Sequence, residues 1–285
     1  MILVTGASGT VGREVAGMLA ARGRPVRLMT RSPQALRREG GIPGTEVVRG
    51  DFDDPDSLAA AFTGIRAVLL ITTDPLRPDH DVRAIEAAQA VGVRHVVKLS
   101  ALAVLDPLAR DLITRWQRAN EELLLSSGLG WTVLRPRAFM SNTLSWAERI
   151  HTGRPIPVLD PHARTACIAP QDLAEVAVLA LTDPAHQGHA YALTGPEALS
   201  ATDQADRLEQ VLGRRPLLET VGADLVREHL LRRYPEPLAD ALIASQLRQA
   251  AGAKAEVDPT VAALTGRPAT TYRQWAADHA AAFAR

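Results

Sequence analysis

The residues best placed to do chemistry open the chain. Gly6-Ala7-Ser8-Gly9-Thr10-Val11-Gly12 follows a short apolar run, Ile2–Thr5, and leads into an amphipathic stretch. The first reads as a β-strand and the second as a helix. Glycines spaced this way at a strand-to-helix turn have a mechanical meaning. Gly6 permits the sharp turn, Gly9 lets the backbone approach a ligand with no Cβ in the way, and Gly12 lets the helix pack close to the sheet. The helix then presents the unbonded amides of its first turn, around Thr10 and Val11, together with a partial positive charge. That arrangement suits the pyrophosphate of a dinucleotide. Ser8 adds a hydroxyl. A purely structural turn is the competing reading, and the strand–turn–helix context weighs against it.

The ends of the following strands supply the rest of such a site. Thr30-Arg31-Ser32 closes the second strand pattern and contains no Asp or Glu. In dinucleotide folds an acid here accepts from the ribose 2′-hydroxyl of NAD, whereas a basic residue pairs with the 2′-phosphate of NADP. Arg31 therefore favours NADP(H) over NAD(H), its planar fork matching a phosphate. It also reads as a solvated cation in a chain where all but Lys98 and Lys254 of 32 basic residues are Arg. Asp51, with Phe52 beside it, follows the third strand and can accept from the adenine amino group; otherwise it is a turn acid, although Asp54-Pro55 already makes a helix start. Thr72 and Thr73 end the fourth strand, where ribose or pyrophosphate would pass. Ser100 ends the fifth, and can orient a carbonyl or simply bond to backbone. Lys98 shares its strand face and can reach the cofactor ribose or pair with a carboxylate.

Strands are expected at Ile2–Thr5, Val26–Thr30, Glu46–Arg49, Ala67–Ile71, Val93–Leu99 and Thr132–Leu134. Each is nearly continuous in apolar or β-branched residues, as in strands buried on both faces. Helices are expected between them at Val11–Ala21, Pro33–Arg38, Pro55–Phe62, Asp81–Ala90 and Arg110–Ser126. This alternation specifies an α/β fold, a Rossmann-type doubly wound parallel sheet. The pattern then changes: Phe139–Ile150 reads as helical, Pro155–Pro161 as a Pro-rich loop with a short strand, Pro170–Leu181 as a helix, and His189–Leu193 as a strand. From Ala201 onward the chain is mostly helical. The expected division is an NADP(H)-binding domain over 1–150 and a smaller, mainly helical C-terminal substrate lobe over 151–285, with some segments returning to the Rossmann core.

Bulk properties narrow the function classes. The formal net charge of the 285 residues is zero, so no field recruits nucleic acid or an anionic membrane. Cys167 is the single cysteine, which excludes an intrachain disulfide or a cysteine metal cluster. The chain enters its first strand pattern at once, so no leader is expected, and no apolar run reaches membrane-spanning length. A cytoplasmic protein, monomeric or homodimeric and acting on a small molecule, is the expectation. His186-x-x-His189 has no acidic neighbours and reads as surface, not metal site.

The chain resembles the NmrA-like, atypical short-chain dehydrogenase/reductase family. The resemblance rests on Gly6–Gly12, Arg31, Gly50-Asp51, Lys98-Leu99-Ser100, the run Ser127–Pro136, Phe139-Met140-Ser141-Asn142, Ala190–Pro196 and Trp275–His279. It implies an extended Rossmann fold that binds NADP(H). Some members reduce quinones, enones, imines or benzylic ethers, and others sense the nicotinamide pool without turnover. It further implies that the backbone at Pro136 borders the nicotinamide and that Phe139, Met140, Asn142 and Trp146 wall a substrate pocket; the same apolar residues at helical spacing also read as core. Conventional members carry Tyr-x-x-x-Lys for proton transfer. Here Tyr191, Tyr234 and Tyr272 all lack a Lys four residues on. Gln117 stands where many relatives carry His, and an amide cannot shuttle a proton. Ser100, Gln117 and His162 are the remaining catalytic candidates, His162 as a proton donor from a loop. The reading is an NADPH-dependent reductase of a small conjugated substrate of quinone, enone or imine type. The alternative is a non-catalytic NADP(H) sensor.

Overall fold

The computed structural model describes residues 1–38 and 40–283. Five β/α repeats and a sixth strand open the chain: β1 (Ile2–Val4), α1 (Thr10–Ala21), β2 (Val26–Thr30), α2 (Pro33–Arg38), β3 (Thr45–Arg49), α3 (Pro55–Phe62), β4 (Ala67–Leu70), α4 (Asp79–Ala90), β5 (His95–Leu99), α5 (Leu112–Ser126) and β6 (Gly130–Pro136). There follow α6 (Ala147–Thr152), β7 (Ile156–Val158), α7 (Pro170–Thr182), β8 (His189–Leu193), α8 (Ala201–Leu212) and β9 (Leu218–Thr220). The chain closes with α9 (Ala223–Leu231), α10 (Glu236–Ala250), α11 (Thr260–Thr265), α12 (Tyr272–Asp278) and α13 (Ala280–Phe283).

Seven strands form one sheet in the order β3-β2-β1-β4-β5-β6-β8, and every pairing from β3 across to β6 is parallel. After β3 the chain crosses back to place β4 on the far side of β1. Between β1 and β4 the winding reverses, and ligands of such sheets lie outside the carboxyl ends of the strands at that switch point. The Thr5 hydroxyl ties the two strand ends together there. It accepts from the Ile71 amide at 2.7 Å and faces the Leu69 and Ile71 carbonyls at 3.1 Å.

Two compact units emerge. The first comprises residues 1–101, 116–135 and 173–191. Its core joins Leu3, Leu58, Phe62, Leu70, Ile85 and Val133. The second comprises residues 102–115, 136–172 and 192–285. Its core gathers Met140, Ile150, Leu208, Tyr272, Trp275 and Phe283, and the Tyr272 hydroxyl donates to Thr143 Oγ1 at 3.0 Å. Its two-stranded sheet pairs β7 with β9 in parallel.

The expected helix over Phe139–Ile150 is split. Met140–Trp146 forms a 3-10 helix, and α6 begins at Ala147. The Thr143 hydroxyl donates to Met140 O and the Ser145 hydroxyl to Asn142 O, each at 2.7 Å and three residues back. These side chains favour the tighter winding.

One strand residue gives the first unit a pH dependence. His95 is buried, its ring bonded to the Thr132 hydroxyl at 2.9 Å. Burial, and then the nearby His186, push its pKa down from 6.5 to about 4. Folding therefore excludes a proton that the unfolded chain binds: the stability is whole above pH 6.5 and is lost as pH falls toward 4. Urea unfolding at pH 7 and pH 5 should show a loss of about 1–2 kcal/mol through this residue. A His95→Gln variant should lack that part of the loss, and identical pH dependence in both proteins would contradict the assignment.

Candidate functional site

The glycine cradle is built as tightly as its spacing implies. Gly6 has φ +61, in the left-handed region, and its amide carbonyl accepts from Gly9 N–H at 2.9 Å. A Cβ on Gly12 would lie 2.3 Å from Gly6 O and 2.8 Å from its carbonyl carbon. Both are backbone atoms, so no side-chain rotation relieves the clash. Gly9 caps α1 with extended backbone, φ −83 and ψ 167, and no side chain bonds to the helix end. Arg13 N–H makes the first return bond, to Gly9 O. The amides of Thr10, Val11 and Gly12 thus precede the hydrogen-bonded ladder. No acidic residue lies in the first turn, and Ser8, Gly9 and Thr10 are exposed. This is an open anion cradle that fits a dinucleotide pyrophosphate.

Register carries the cradle across the sheet edge. Val4 pairs with Leu28 and Thr30 with Arg49, so Gly6, Arg31 and Asp51 follow the carboxyl ends of three neighbouring strands. Arg31 and Ser32 are exposed, and Arg31 enters no ion pair among the described residues. The Asp51 carboxylate accepts the Asp53 amide at 3.1 Å through one oxygen, while Asp54 caps α3 by accepting from Ser57 N–H at 3.1 Å. Phe52 stacks on His80 with ring centroids 5.3 Å apart. The Asp53 carboxylate is covered by Arg77, Arg83 and His80.

Lys98 does not face a ligand. Its ammonium is buried, 3.0 Å from Asp81 Oδ1 in an ion pair whose side chains are 1% and 0% exposed. It donates to Thr72 Oγ1 and to Leu99 O, each at 3.1 Å, and lies over the Trp116 ring, 5.5 Å from its centroid. Two of its donors go to these acceptors and its charge is matched by the buried Asp81 carboxylate, so the ammonium is enclosed by protein groups and does not face a ribose. Of its two sequence readings, carboxylate pairing is the one the structure shows. Thr72 is committed to the same network, donating to Asp81 Oδ2 at 2.7 Å, where Asn120 also donates at 2.9 Å. Thr73, the next residue, is exposed. Ser100 is likewise engaged: its hydroxyl donates to Glu121, whose carboxylate is held by Arg135. Its partner is therefore a side chain rather than backbone. Gln117 is buried, and its Oε1 has no partner.

The second unit holds the other expected site residues. Phe139, Asn142 and Trp146 line one cavity of about 310 Å³ together with Cys167, Gln204 and Gln249. Met140 is not a wall of it. At 1% exposure it packs into the core beside Ile150 and Trp275, because the 3-10 winding turns it inward. Pro136, the last residue of β6, is buried. His162 is exposed in its loop, its amide bonded to Asp160 Oδ1 at 2.8 Å, and no side-chain contact draws it toward the cavity. Asp81 and Glu121 are missing from the sequence reading. Asp81 had a signal: with Ala84, Ile85 and Ala88 it forms the buried face of α4, and a carboxylate in such a stripe calls for a cation.

Removing one partner of a buried pair strands the other charge. Lys98→Met should lower the unfolding free energy by about 3–5 kcal/mol, and adding Asp81→Asn should restore part of that loss. A Lys98→Met protein as stable as wild type but impaired in NADPH binding would return Lys98 to the cofactor.

Comparison with known proteins agrees with this geometry. Residues 6–184 match the model of a family described as NAD(P)H-binding. The chain is 52% identical over 284 residues to a (4-alkanoyl-5-oxo-2,5-dihydrofuran-3-yl)methyl phosphate reductase of Streptomyces griseus subsp. griseus, covering 100% of this chain and 99% of that protein. It is 35% identical to the NAD(P)H azoreductase of Xenophilus azovorans, over 99% of each. Among solved structures, an NADPH-dependent quinone oxidoreductase from Escherichia coli superposes with a TM-score of 0.81 at 26% identity, covering 98% of this chain and 99% of that one. No helix among the described residues is long and apolar enough to cross a membrane. With a glycine cradle at the switch point and reductases matching along its whole length, the chain belongs to the NAD(P)H-binding family of NmrA-like, atypical short-chain dehydrogenase/reductases, and it is an oxidoreductase.

Proposed function

We propose that this protein is an NADPH-dependent reductase of a carbon–carbon double bond conjugated to two carbonyls, in a small phosphate-bearing unsaturated lactone. The observation that carries the cofactor half is the unblocked N-terminus of α1 behind glycines that leave no room for a Cβ. The substrate half is supported by the full-length similarity to the furanone phosphate reductase. Gly9, Thr10 and Val11 hold the pyrophosphate through backbone amides, and Arg31 takes the 2′-phosphate through its free guanidinium. Asp51 keeps one carboxylate oxygen for the adenine amino group. Bound NADPH supplies the hydride.

This substrate class accounts for residues that other reductases need and this chain lacks. A ketone reduced to an alcohol requires a strong proton donor at oxygen. Here the Ser100 hydroxyl is already given to Glu121, Gln117 carries no transferable proton, and His162 lies on an exposed loop. A double bond activated by a lactone carbonyl and a side-chain ketone holds the developing negative charge on its own oxygens, and solvent can protonate the carbon once the hydride has been transferred. The chain then has to orient the substrate against the nicotinamide, not supply an acid.

The engaged Ser100 and the amide at Gln117 also fit a non-catalytic NADP(H) sensor, which binds the nucleotide without turnover. Two measurements on cofactor-stripped protein separate and test these readings. By calorimetry NADPH should bind at least about tenfold tighter than NADH, a gap of about 1.4 kcal/mol, and Arg31→Ala should remove the gap while leaving NADH affinity unchanged. A 4-alkanoyl furanone phosphate should then be consumed in step with NADPH oxidation. Equal affinities would contradict the 2′-phosphate role of Arg31, and tight NADPH binding without turnover would favour the sensor.

A further inference from the structure

The second unit holds two half-buried cations, Arg137 and Lys254, that no ion pair compensates among the described residues. The backbone of Ala166–Ile168 lies between two segments. On one side Ile168 N–H donates to Ala138 O and Met140 N–H to Ile168 O, each at 2.9 Å; on the other Ala166 N–H donates to Lys254 O at 3.1 Å. Arg137, Cys167 and Lys254 therefore sit on three neighbouring, backbone-bonded stretches. Arg137 is anchored by its own amide to Leu193 O at 2.8 Å, and its side-chain Nε is buried without a partner. Lys254 Nζ donates to the Ser245 hydroxyl at 2.6 Å. Neither cation forms an ion pair among the described residues. Arg248, the third basic group nearby, differs: Asp111 meets it at 2.8 Å and Asp106 at 3.5 Å.

We infer that Arg137 and Lys254 form the subsite that grips the phosphate of a phosphomonoester substrate. This rests on the reductase reading above and names where the substrate's charged end is held. A cation that has lost part of its water is stabilised by an anion or drawn toward its neutral form, and no carboxylate pairs with either one among the described residues. Glu256 and Asp106 favour the charged form of Arg137, and Asp111 that of Lys254, without forming an ion pair with either among the described residues. The Cys167 thiol cannot compensate, because burial pushes its pKa up to about 11. Burial also pulls the Arg137 guanidinium below the usual arginine range. Lys254 is brought down to about 8, by burial first and then by Arg248 and Arg137. Two cations match the charge of about −1.5 to −2 on a phosphomonoester at pH 7. The Arg fork suits a bidentate contact, and the Lys acts as a point charge. Cys167 belongs to this neighbourhood and also lines the cavity with Asn142, Gln204, Gln246 and Gln249, whose amides suit the polar remainder of such a substrate.

The probe is methyl phosphate, titrated by calorimetry into NADPH-saturated protein. Wild type should bind it, and Arg137→Met and Lys254→Met should each weaken that binding at least about tenfold while NADPH affinity stays unchanged. The pH dependence follows from the charge on Lys254, present below about 8 and lost above it. Wild-type affinity for methyl phosphate should fall between pH 7 and pH 9, a range in which the phosphate itself does not titrate, its second pKa being about 6. Lys254→Arg, which stays charged, should bind with no such fall and keeps the test open if a methionine variant misfolds. Absence of methyl phosphate binding by NADPH-loaded wild type would overturn the inference, as would binding that neither variant weakens. So would variants that lose NADPH instead, because the phosphate gripped would then be the cofactor's. Failure of wild type to bind NADPH at all would strike the reductase reading first.

Discussion

The structure depends on one steric fact, the contact between the Gly12 α-carbon and the Gly6 carbonyl. With no Cβ between them, α1 starts against the end of β1, and its first amides emerge at the point where the sheet's winding reverses. A side chain at either position would push the helix outward and carry the cradle with it. Thr5 reinforces the arrangement from beneath by bonding β1 to β4 across the switch point. Anion recognition here is thus a property of backbone position, and no charged side chain is needed in the first turn. In the proposed function Arg31, at the next strand end, adds the charge that separates two nucleotides differing by one phosphate.

Buried charge is handled in two different ways. In the first unit Lys98, Asp81, Thr72 and Asn120 form a buried network in which the ammonium donates twice and lies against the Asp81 carboxylate. Such a set is structural: it fixes α4 and α5 against the strands and has nothing left to offer a ligand. In the second unit Arg137 and Lys254 are half-buried, and Lys254 donates to a single hydroxyl, that of Ser245. One lysine is thus matched by a buried carboxylate, and the other has no ion-pair partner among the described residues. The first holds the protein together, and the second is the one inferred above to meet a substrate phosphate.

Much of this was legible from residue order, and the failures have physical causes. Strands and helices of the first half fall within a few residues of their expected limits, because parallel strands buried on both faces must be apolar throughout and each glycine-ended helix marks its own stop. The cradle and the unpaired Arg31 are local in sequence and were legible for that reason. Lys98 was ambiguous because its partner Asp81 lies in a different repeat, on a helix whose buried stripe shows a carboxylate but not the cation it meets. Ser100 was read as free or backbone-bonded because Glu121 reaches it only through the packing of α5. Met140 was expected at a cavity wall and is core, since two hydroxyls three residues ahead of their carbonyl partners tighten the helix there and change which face turns inward. Arg137 carries no local signal at all in a chain so rich in arginine.

In the proposed reaction hydride goes to the ring double bond of an acylated unsaturated lactone, with the negative charge held by the substrate. Turnover of a 4-alkanoyl furanone phosphate with NADPH deuterated at nicotinamide C4, each diastereomer in turn, locates the transferred atom by NMR of the product. Deuterium on the ring carbon that bears the phosphomethyl group is the predicted result. Deuterium on the side-chain carbinol, from reduction of the ketone, would contradict it and would require a proton donor that the Ser100–Glu121–Arg135 arrangement does not provide.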